Sequence, residues 1–128
     1  MMQRKEIAKY IKYTLECCIS SLDSYDETED YEYIEKFKYW QNKAYKSADN
    51  FKTEKKRTDV YFCKEYVESL LLCIKYSRSH LYNYIDTSNS DYIYGCKYNI
   101  ETAIEYVDQI ISQEEIYENS HNQYGTGY

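Results

Sequence analysis

Apolar residues recur every three or four positions along most of this chain, which is the spacing of one face of an α-helix. Four such stripes can be traced, and the first covers about residues 3–22. The second begins at residue 33 and ends between residues 49 and 56. The third runs from a cap at Thr58 to residue 85, and the fourth covers residues 93–115. Their apolar positions are Ile7, Ile11, Leu15, Cys18, Leu22; Tyr33, Ile34, Phe37, Trp40, Ala44, Ala48, Phe51; Val60, Cys63, Val67, Leu70, Leu71, Ile74, Leu81, Ile85; and Ile93, Cys96, Ile100, Ile104, Val107, Ile111. The pattern predicts four amphipathic helices.

Short polar segments separate the stripes and contain good helix-capping residues. The first link is predicted at Asp23–Thr28 and the third at Asp86–Asp91. Long helices joined by short links are typical of an all-α, antiparallel, up-and-down four-helix bundle. We expect one helical domain over residues 1–118, followed by a flexible C-terminal tail at 119–128.

A small α+β fold is the alternative. Tyrosine is a mediocre helix former, and Tyr31-Glu-Tyr33, Tyr82-Asn-Tyr84 and Tyr92-Ile-Tyr94 alternate as short strands do. The absence of proline favours uninterrupted helices instead. No internal repeat is evident in the stripes.

Composition narrows the classes of partner. The formal net charge of −6 disfavours non-specific binding to the nucleic-acid backbone, so we expect no direct nucleic-acid partner. No apolar run approaches the ~20 residues of a membrane-spanning helix, and the N-terminus lacks an apolar signal segment, so we expect a cytoplasmic protein with no membrane partner. The 19 tyrosines, with abundant lysine and isoleucine and little glycine, indicate an AT-rich genome such as that of a low-GC bacterium, its phages or a virus of thermophilic archaea.

Charge is distributed unevenly along the second helix. The charged side chains of residues 23–35 are all acidic, whereas those of residues 36–57 are eight bases against the two acids Asp49 and Glu54. This order complements the helix dipole, but repulsion among so many acids weakens that gain. The acids are Asp23, Asp26, Glu27, Glu29, Asp30, Glu32 and Glu35, and the bases are Lys36, Lys38, Lys43, Lys46, Lys52, Lys55, Lys56 and Arg57.

The first and third links of an up-and-down bundle lie at the same end, and this end is rich in tyrosine. Tyrosine mixed with polar residues is the composition of many binding surfaces, because it provides large contact area at low side-chain entropy cost. We call this surface the acidic, tyrosine-rich end. It comprises Asp23, Tyr25, Asp26, Glu27, Glu29, Asp30, Tyr31, Tyr33, Tyr82, Tyr84, Tyr92 and Tyr94.

The main hypothesis is a small, non-enzymatic accessory or inhibitory protein of a virus or mobile element. Its acidic, tyrosine-rich end would dock on a basic surface of a host nucleic-acid-processing protein, with carboxylates in place of phosphates. The alternative is a structural protein that forms homo-oligomers head to tail. In that case the acidic end would contact a basic end formed by Lys52, Lys55, Lys56 and Arg57 near Arg4 and Lys5.

The sequence contains no recognisable catalytic motif, so we expect neither an enzyme nor a cofactor or metal site. A hidden helical nuclease is the third hypothesis, but Arg78 and His80 are two residues apart and therefore lie on opposed faces of a helix. The odd number of cysteines, 5, argues against a disulfide framework. Cys18 and Cys96 are expected to lie close together in the core, and Gly95 to permit close helix packing.

Overall fold

The computed structural model describes residues 3–53 and 64–126, which form four α-helices. These are α1 (Arg4–Thr28), α2 (Glu32–Thr53), α3 (Lys64–Thr87) and α4 (Asp91–Thr126). The described residues include no β-strand, so the all-α prediction is confirmed and the α+β alternative is wrong. The predicted cap at Thr58 lies outside the described residues, as do Val60 and Cys63.

The helices pack as an up-and-down bundle. Helix α1 packs against α2 and α4, and α3 packs against the same two helices from the opposite corner. The diagonal pairs, α1 with α3 and α2 with α4, make no backbone contact within the described ranges. This four-cornered arrangement is the one that short links between antiparallel helices predict.

The apolar stripes of the sequence form the core. Ile11, Leu15, Phe37, Leu70 and Ile100 are among the fully buried side chains, and every helix contributes residues to the same cluster. Burying such side chains stabilises the fold by about 1.5–3 kcal/mol each. One predicted core residue, Ile85, is instead 40% exposed, while its neighbour Tyr84 in the same turn of α3 packs against the core.

The links are shorter than the polar segments predicted. Helix α1 continues through the predicted link Asp23–Thr28 and ends where Glu29 takes the left-handed conformation, with φ of 56°. Ser88 ends α3 in the same way, with φ of 58°. A residue in the left-handed conformation ends a helix whatever the preceding side chains are. The polar side chains before Glu29 therefore did not mark the end of α1, and the predicted link began too early. Helix α4 extends past its predicted end near Glu115 to Thr126, while the division into residues 1–118 and a tail stays a prediction.

Both links have the same hydrogen bonds. The Thr28 hydroxyl donates to the Ser24 carbonyl and accepts from the amide of Asp30. The Thr87 hydroxyl donates to the Asn83 carbonyl and accepts from the amide of Asn89. The carboxylate of Asp30 and the side-chain carbonyl of Asn89 then accept the first amides of α2 and α4, from Glu32 and Asp91.

The equivalence extends along both helical hairpins at the 59-residue separation that relates Tyr25 to Tyr84. The same residue occurs at the pairs Lys5/Lys64, Glu6/Glu65, Ser20/Ser79, Leu22/Leu81, Tyr25/Tyr84, Thr28/Thr87, Tyr33/Tyr92, Ile34/Ile93, Lys38/Lys97, Tyr39/Tyr98, Ala44/Ala103 and Asp49/Asp108. Buried positions correspond as well, as in Leu15 with Ile74 and Ala48 with Val107. The bundle therefore consists of two repeated hairpins, and the expectation of no internal repeat is wrong.

Candidate functional site

Two tyrosines meet at the acidic, tyrosine-rich end of the bundle. The phenolic oxygens of Tyr25 and Tyr84 lie 2.6 Å apart, and their rings contact edge to face with centroids 6.1 Å apart. Both side chains are partly buried and pack against the core. The hydrogen bond with Tyr84 and the partial burial favour the protonated phenol, and they raise the pKa of Tyr25 to about 12.

A cavity of about 140 Å³ opens beside this pair. Its lining contains five residues predicted for the site, namely Tyr25, Asp26, Glu29, Tyr84 and Tyr94. Ser90 and Ile93 complete it. These two were missed by the sequence analysis, although Ser90 lies in the third link, where the polar cluster already indicated a turn. We call this opening the Tyr25–Tyr84 cavity.

The other predicted tyrosines separate into two groups. Tyr31, Tyr82 and Tyr94 are 47%, 62% and 69% exposed, so their rings are available to a partner. Tyr33 and Tyr92 are partly buried and lie on the sides of the two hairpins. Tyr33 contacts the ammonium group of Lys36, and Tyr92 packs beside His80.

Several of the predicted acidic residues have partners within the bundle. Asp23 pairs with Lys97 of α4 at 2.9 Å, and Asp30 caps α2. Glu32 and Glu35 lie 3.9 and 3.8 Å from Lys36 and Lys38. The acidic run is thus partly neutralised. The pairing of Lys97 with Asp23 was not predicted from the sequence, because the two residues are distant along the chain.

Three acids of this end make neither an ion pair nor a side-chain hydrogen bond within the part of the chain that the structure describes. These are Asp26, Glu27 and Glu29, and all three are exposed. Asp26 and Glu29 line the Tyr25–Tyr84 cavity. Two of these three carboxylates therefore lie beside the aromatic rings, although Lys97 also lies within electrostatic range of Asp26.

The basic end differs from the prediction. Arg4 is buried, and its Nε lies 3.5 Å from a carboxylate oxygen of Glu114, while Lys5 pairs with Glu118 at 2.9 Å. The Arg4 guanidinium also lies 3.8 Å from the ring centroid of Phe51 and donates to the Phe51 carbonyl. Lys52 is exposed, and Lys55, Lys56 and Arg57 lie outside the described residues. Self-association through the two ends stays a prediction. Two of its bases, Arg4 and Lys5, are already paired with acids of the same chain.

Arg78 and His80 face different neighbours. Arg78 donates to the Asn42 side chain at 2.9 Å and lies over the ring of Tyr45, both on α2. His80 packs against α4, beside Tyr92 and directly over Gly95. The two side chains therefore do not share a cleft, as their spacing predicted.

The cysteines in the described ranges are free thiols, and Cys18 and Cys96 are both fully buried. Burial raises the pKa of the Cys18 thiol far above its usual range and that of Cys96 to about 12. The Cys96 thiol donates to the Ser77 carbonyl at 3.3 Å. Within residues 3–53 and 64–126, no three His, Cys, Asp or Glu side chains converge as metal ligands do.

No protein-family model, curated protein or solved structure matches this chain significantly. No helix in the described ranges has the length and apolar character that a bilayer crossing requires.

Proposed function

We propose that this protein is a non-enzymatic binding module whose acidic, tyrosine-rich end docks on a basic surface of a protein partner. One lysine or arginine side chain of that partner enters the Tyr25–Tyr84 cavity. The observation that carries this proposal is the meeting of three tyrosine side chains and two carboxylates that make no ion pair at one opening.

The cavity suits a cationic side chain for two reasons. Asp26 and Glu29 place negative charge at its wall, and tyrosine rings attract a cation through their quadrupole, by about 0.5–1 kcal/mol at an exposed site. At about 140 Å³ it is also smaller than ordinary small-molecule pockets, which measure about 300–1,000 Å³. The tip of one side chain fits this size.

The surroundings favour a partner with an extended basic surface. Glu27 is exposed at the same end of the bundle, and the exposed rings of Tyr31, Tyr82 and Tyr94 supply aromatic contact area. Unpaired acids attract a basic surface over several ångströms and speed the encounter. Basic surfaces of this kind are typical of proteins that bind phosphate backbones, so we infer a nucleic-acid-processing protein as the partner. An accessory or inhibitory role for a virus or mobile element is the corresponding biological proposal.

The experiment compares two double variants of equal charge. Asp26→Asn with Glu29→Gln removes the carboxylates of the cavity, while Glu65→Gln with Glu105→Gln removes two exposed acids elsewhere. Binding of a hexa-arginine peptide is measured by calorimetry at low and physiological salt. We expect the cavity variant to bind about tenfold more weakly, which corresponds to about 1.4 kcal/mol, and the control variant to bind as the parent does.

A third variant tests the aromatic wall. Tyr94→Ala removes an exposed ring and should weaken the peptide to a smaller extent, because Asp26 and Glu29 remain. Equal losses in the cavity variant and the charge-matched control would show that only net charge matters, and the proposal would then be wrong. A partner captured from source-cell lysate by the parent, and lost with the cavity variant, would identify the target.

A further inference from the structure

The 59-residue relation makes two opposite sides of the bundle equivalent. It relates α1 to α3 and α2 to α4, so the side between α1 and α4 corresponds to the side between α3 and α2. The charges of the two sides are reversed, because Glu16 corresponds to Lys75 and Ile19 corresponds to Arg78. Each molecule thus carries an acidic and a basic version of the same surface.

The side between α1 and α4 contains a groove of about 390 Å³. Ile19 and Ile104 are partly buried against the core and supply apolar surface, and the exposed Glu16 and Glu101 supply carboxylates. The lining is formed by Glu16, Ile19, Ser20, Asp23, Glu101 and Ile104. We call this opening the acidic groove.

The two glutamates of the groove make no ion pair among the described residues. Lys12 lies within electrostatic range of Glu16, and Lys97 lies within range of Glu101. Each of these ammonium groups already pairs with an aspartate, at 2.8 and 2.9 Å respectively. The acidic groove therefore keeps an excess of negative charge.

The equivalent side, between α2 and α3, presents two cations. The Arg78 guanidinium lies 4.4 Å from the ring centroid of Tyr45 and donates to the Asn42 side chain at 2.9 Å. Lys75 is exposed, and its ammonium group lies 5.9 Å from the centroid of the same ring. These contacts orient the guanidinium, so less side-chain freedom is lost when its other N–H groups bind a carboxylate. We call these four residues the basic patch.

The segments around the basic patch lack acids. This holds for residues 36–48 of α2 and 69–85 of α3, whose lysines and arginine are Lys36, Lys38, Lys43, Lys46, Lys75 and Arg78. The corresponding segments are residues 95–107 and 10–26. They contain two lysines and five acids, which are Glu16, Asp23, Asp26, Glu101 and Glu105. The reversal of charge therefore extends along both helices of each side.

We propose that the acidic groove binds the basic patch of a second copy of this chain. Arg78 and Lys75 of one copy contact Glu16 and Glu101 of the next, and this charge complementarity selects the partner and the register. The carbon stem of the lysine covers the apolar surface of the two isoleucines in the groove. The bound partner is thus another molecule of the same protein.

The repeat also places the groove and the patch suitably for this contact. Tyr25 and Tyr84 are counterparts that contact each other, so they lie on the approximate two-fold axis of the bundle. This axis runs along the bundle, because the equivalent helices α1 and α3 are parallel in an up-and-down arrangement. Equivalent positions therefore lie at the same level on opposite sides. A sideways shift of one copy brings its patch to the groove of the next.

The contact is heterologous and continues from copy to copy. Each pair of copies leaves one groove and one patch unused, so a linear array forms. This contact is different from the predicted contact between the acidic and basic ends. In the array all acidic, tyrosine-rich ends lie on the same side, and repulsion between them opposes assembly. We therefore expect weak association, with a dissociation constant on the order of 0.1–1 mM.

Sedimentation velocity at increasing protein concentration tests the association. We expect the average mass of the parent to rise beyond that of a dimer. Glu16→Gln with Glu101→Gln removes the acids of the groove, and Lys75→Gln with Arg78→Gln removes the cations of the patch. Each double variant should associate at least about tenfold more weakly than the parent. None of the altered side chains is buried, and circular dichroism checks that both variants are folded.

A mixture of the two variants distinguishes this contact from other kinds of association. The groove variant keeps its patch, and the patch variant keeps its groove, so the two should bind each other. Because no further complementary pair remains, the mixture should form dimers of one variant with the other and nothing larger. If the mixture stays monomeric, or if either variant alone associates as the parent does, the proposal is wrong.

The control variant is Asp26→Asn with Glu29→Gln, which removes two acids outside the acidic groove. It should associate at least as strongly as the parent, and a loss equal to that of the groove variant would show that only net charge matters. A parent that stays monomeric at millimolar concentration overturns the proposal, even if a hexa-arginine peptide binds in the acidic groove. The same control variant tests the Tyr25–Tyr84 cavity, so the two proposals can fail independently.

Discussion

Tyr25 and Tyr84 join two helices whose backbones make no close contact within the described ranges. Their phenolic oxygens, 2.6 Å apart, connect α1 with α3 across the diagonal of the bundle. The two residues are also counterparts in the repeated hairpins. Residues that contact their own counterparts lie on the symmetry axis, so this hydrogen bond marks the approximate two-fold axis of the bundle and closes the end of the core.

Substitutions of Tyr25 and Tyr84 are expected to have non-additive effects on the free energy of unfolding. Tyr25→Phe should lower the free energy of unfolding by about 0.5–1.5 kcal/mol, and Tyr84→Phe by a similar amount, because each removes the same hydrogen bond. The double variant should lose about as much as one single variant, since no second bond remains to be lost. Urea unfolding of all four proteins measures the coupling, and strictly additive losses would contradict it.

The same pair predicts a loss of stability at alkaline pH. The pKa of Tyr25 is raised to about 12 in the folded state from its usual value of 10.0, chiefly by the hydrogen bond with Tyr84. A group whose pKa is raised by folding stabilises the fold fully below the unfolded value. Its contribution is therefore complete below pH 10 and is lost as the pH rises towards 12.

Melting temperatures between pH 9 and 12 measure this loss. Other tyrosines also ionise in this range, so the comparison is with Tyr84→Phe, which removes the main cause of the shift. The variant should show a shallower alkaline decline than the parent, and its tyrosinate difference spectrum should lose the group that ionises near pH 12. Identical pH profiles in the two proteins would show that the hydrogen bond does not control the ionisation of Tyr25.

Gly95 and His80 should show a reversal of sign in a double-mutant cycle. Gly95→Ala adds a methyl group 2.8 to 2.9 Å from three ring atoms of His80, and overpacking of this kind costs about 1–3 kcal/mol. In a His80→Ala background the space is free. The same change should then stabilise the helix by up to about 1 kcal/mol, because alanine is the better helix former.

Thermal unfolding of the four proteins of this cycle gives the coupling energy. Gly95 does not adopt a positive φ, so alanine is compatible with its backbone and the clash is the only expected penalty. A destabilising G95A in both backgrounds would mean that His80 is not the constraint.

Loss of one partner of the buried pair Arg4–Glu114, at the other end of the bundle, should lower the free energy of unfolding. Glu114 is 2% exposed and Arg4 is 8% exposed, so Arg4→Met leaves a buried carboxylate without this cation. Loss of a hydrogen bond between charged groups of this kind costs about 1.5–3 kcal/mol. Lys12→Met is the control, because its pair with Asp108 is half-exposed, at 36% and 48%, and contributes at most about 1 kcal/mol. Guanidinium unfolding measures both, and similar losses in the two variants would contradict the difference in burial.

The core could be predicted well from the sequence because helical periodicity and burial have the same cause. A helix that packs on one side must have its apolar residues on that side, and Ile34, Phe37, Ala44, Ala48 and Phe51 are buried as their spacing indicated. The link positions were less accurate. The left-handed residues that end α1 and α3 are Glu29 and Ser88, and neither type signals a helix end as glycine does.

The repeat was detectable but not evident in the apolar stripes. The matching motif is Tyr25, Thr28, Tyr33 and Ile34 against Tyr84, Thr87, Tyr92 and Ile93, and it lies across the links. The hydrophobic period does not reveal such a motif, because many different apolar residues can occupy the same stripe and the period is the same in unrelated helices. The shared hydrogen bonds of Thr28 and Thr87 made the relation clear.

The sequence by itself determined the helical class, the four stripes and the end of the bundle where acids and tyrosines gather, because these depend on periodicity and chain order. The tertiary structure decided which of those residues form a site. Tyr25 and Tyr84 meet at a cavity while their neighbours Tyr33 and Tyr92 lie on the sides, and Lys97 neutralises Asp23. Such relations depend on how each helix is rotated and packed against the others, and residues distant along the chain become neighbours only then.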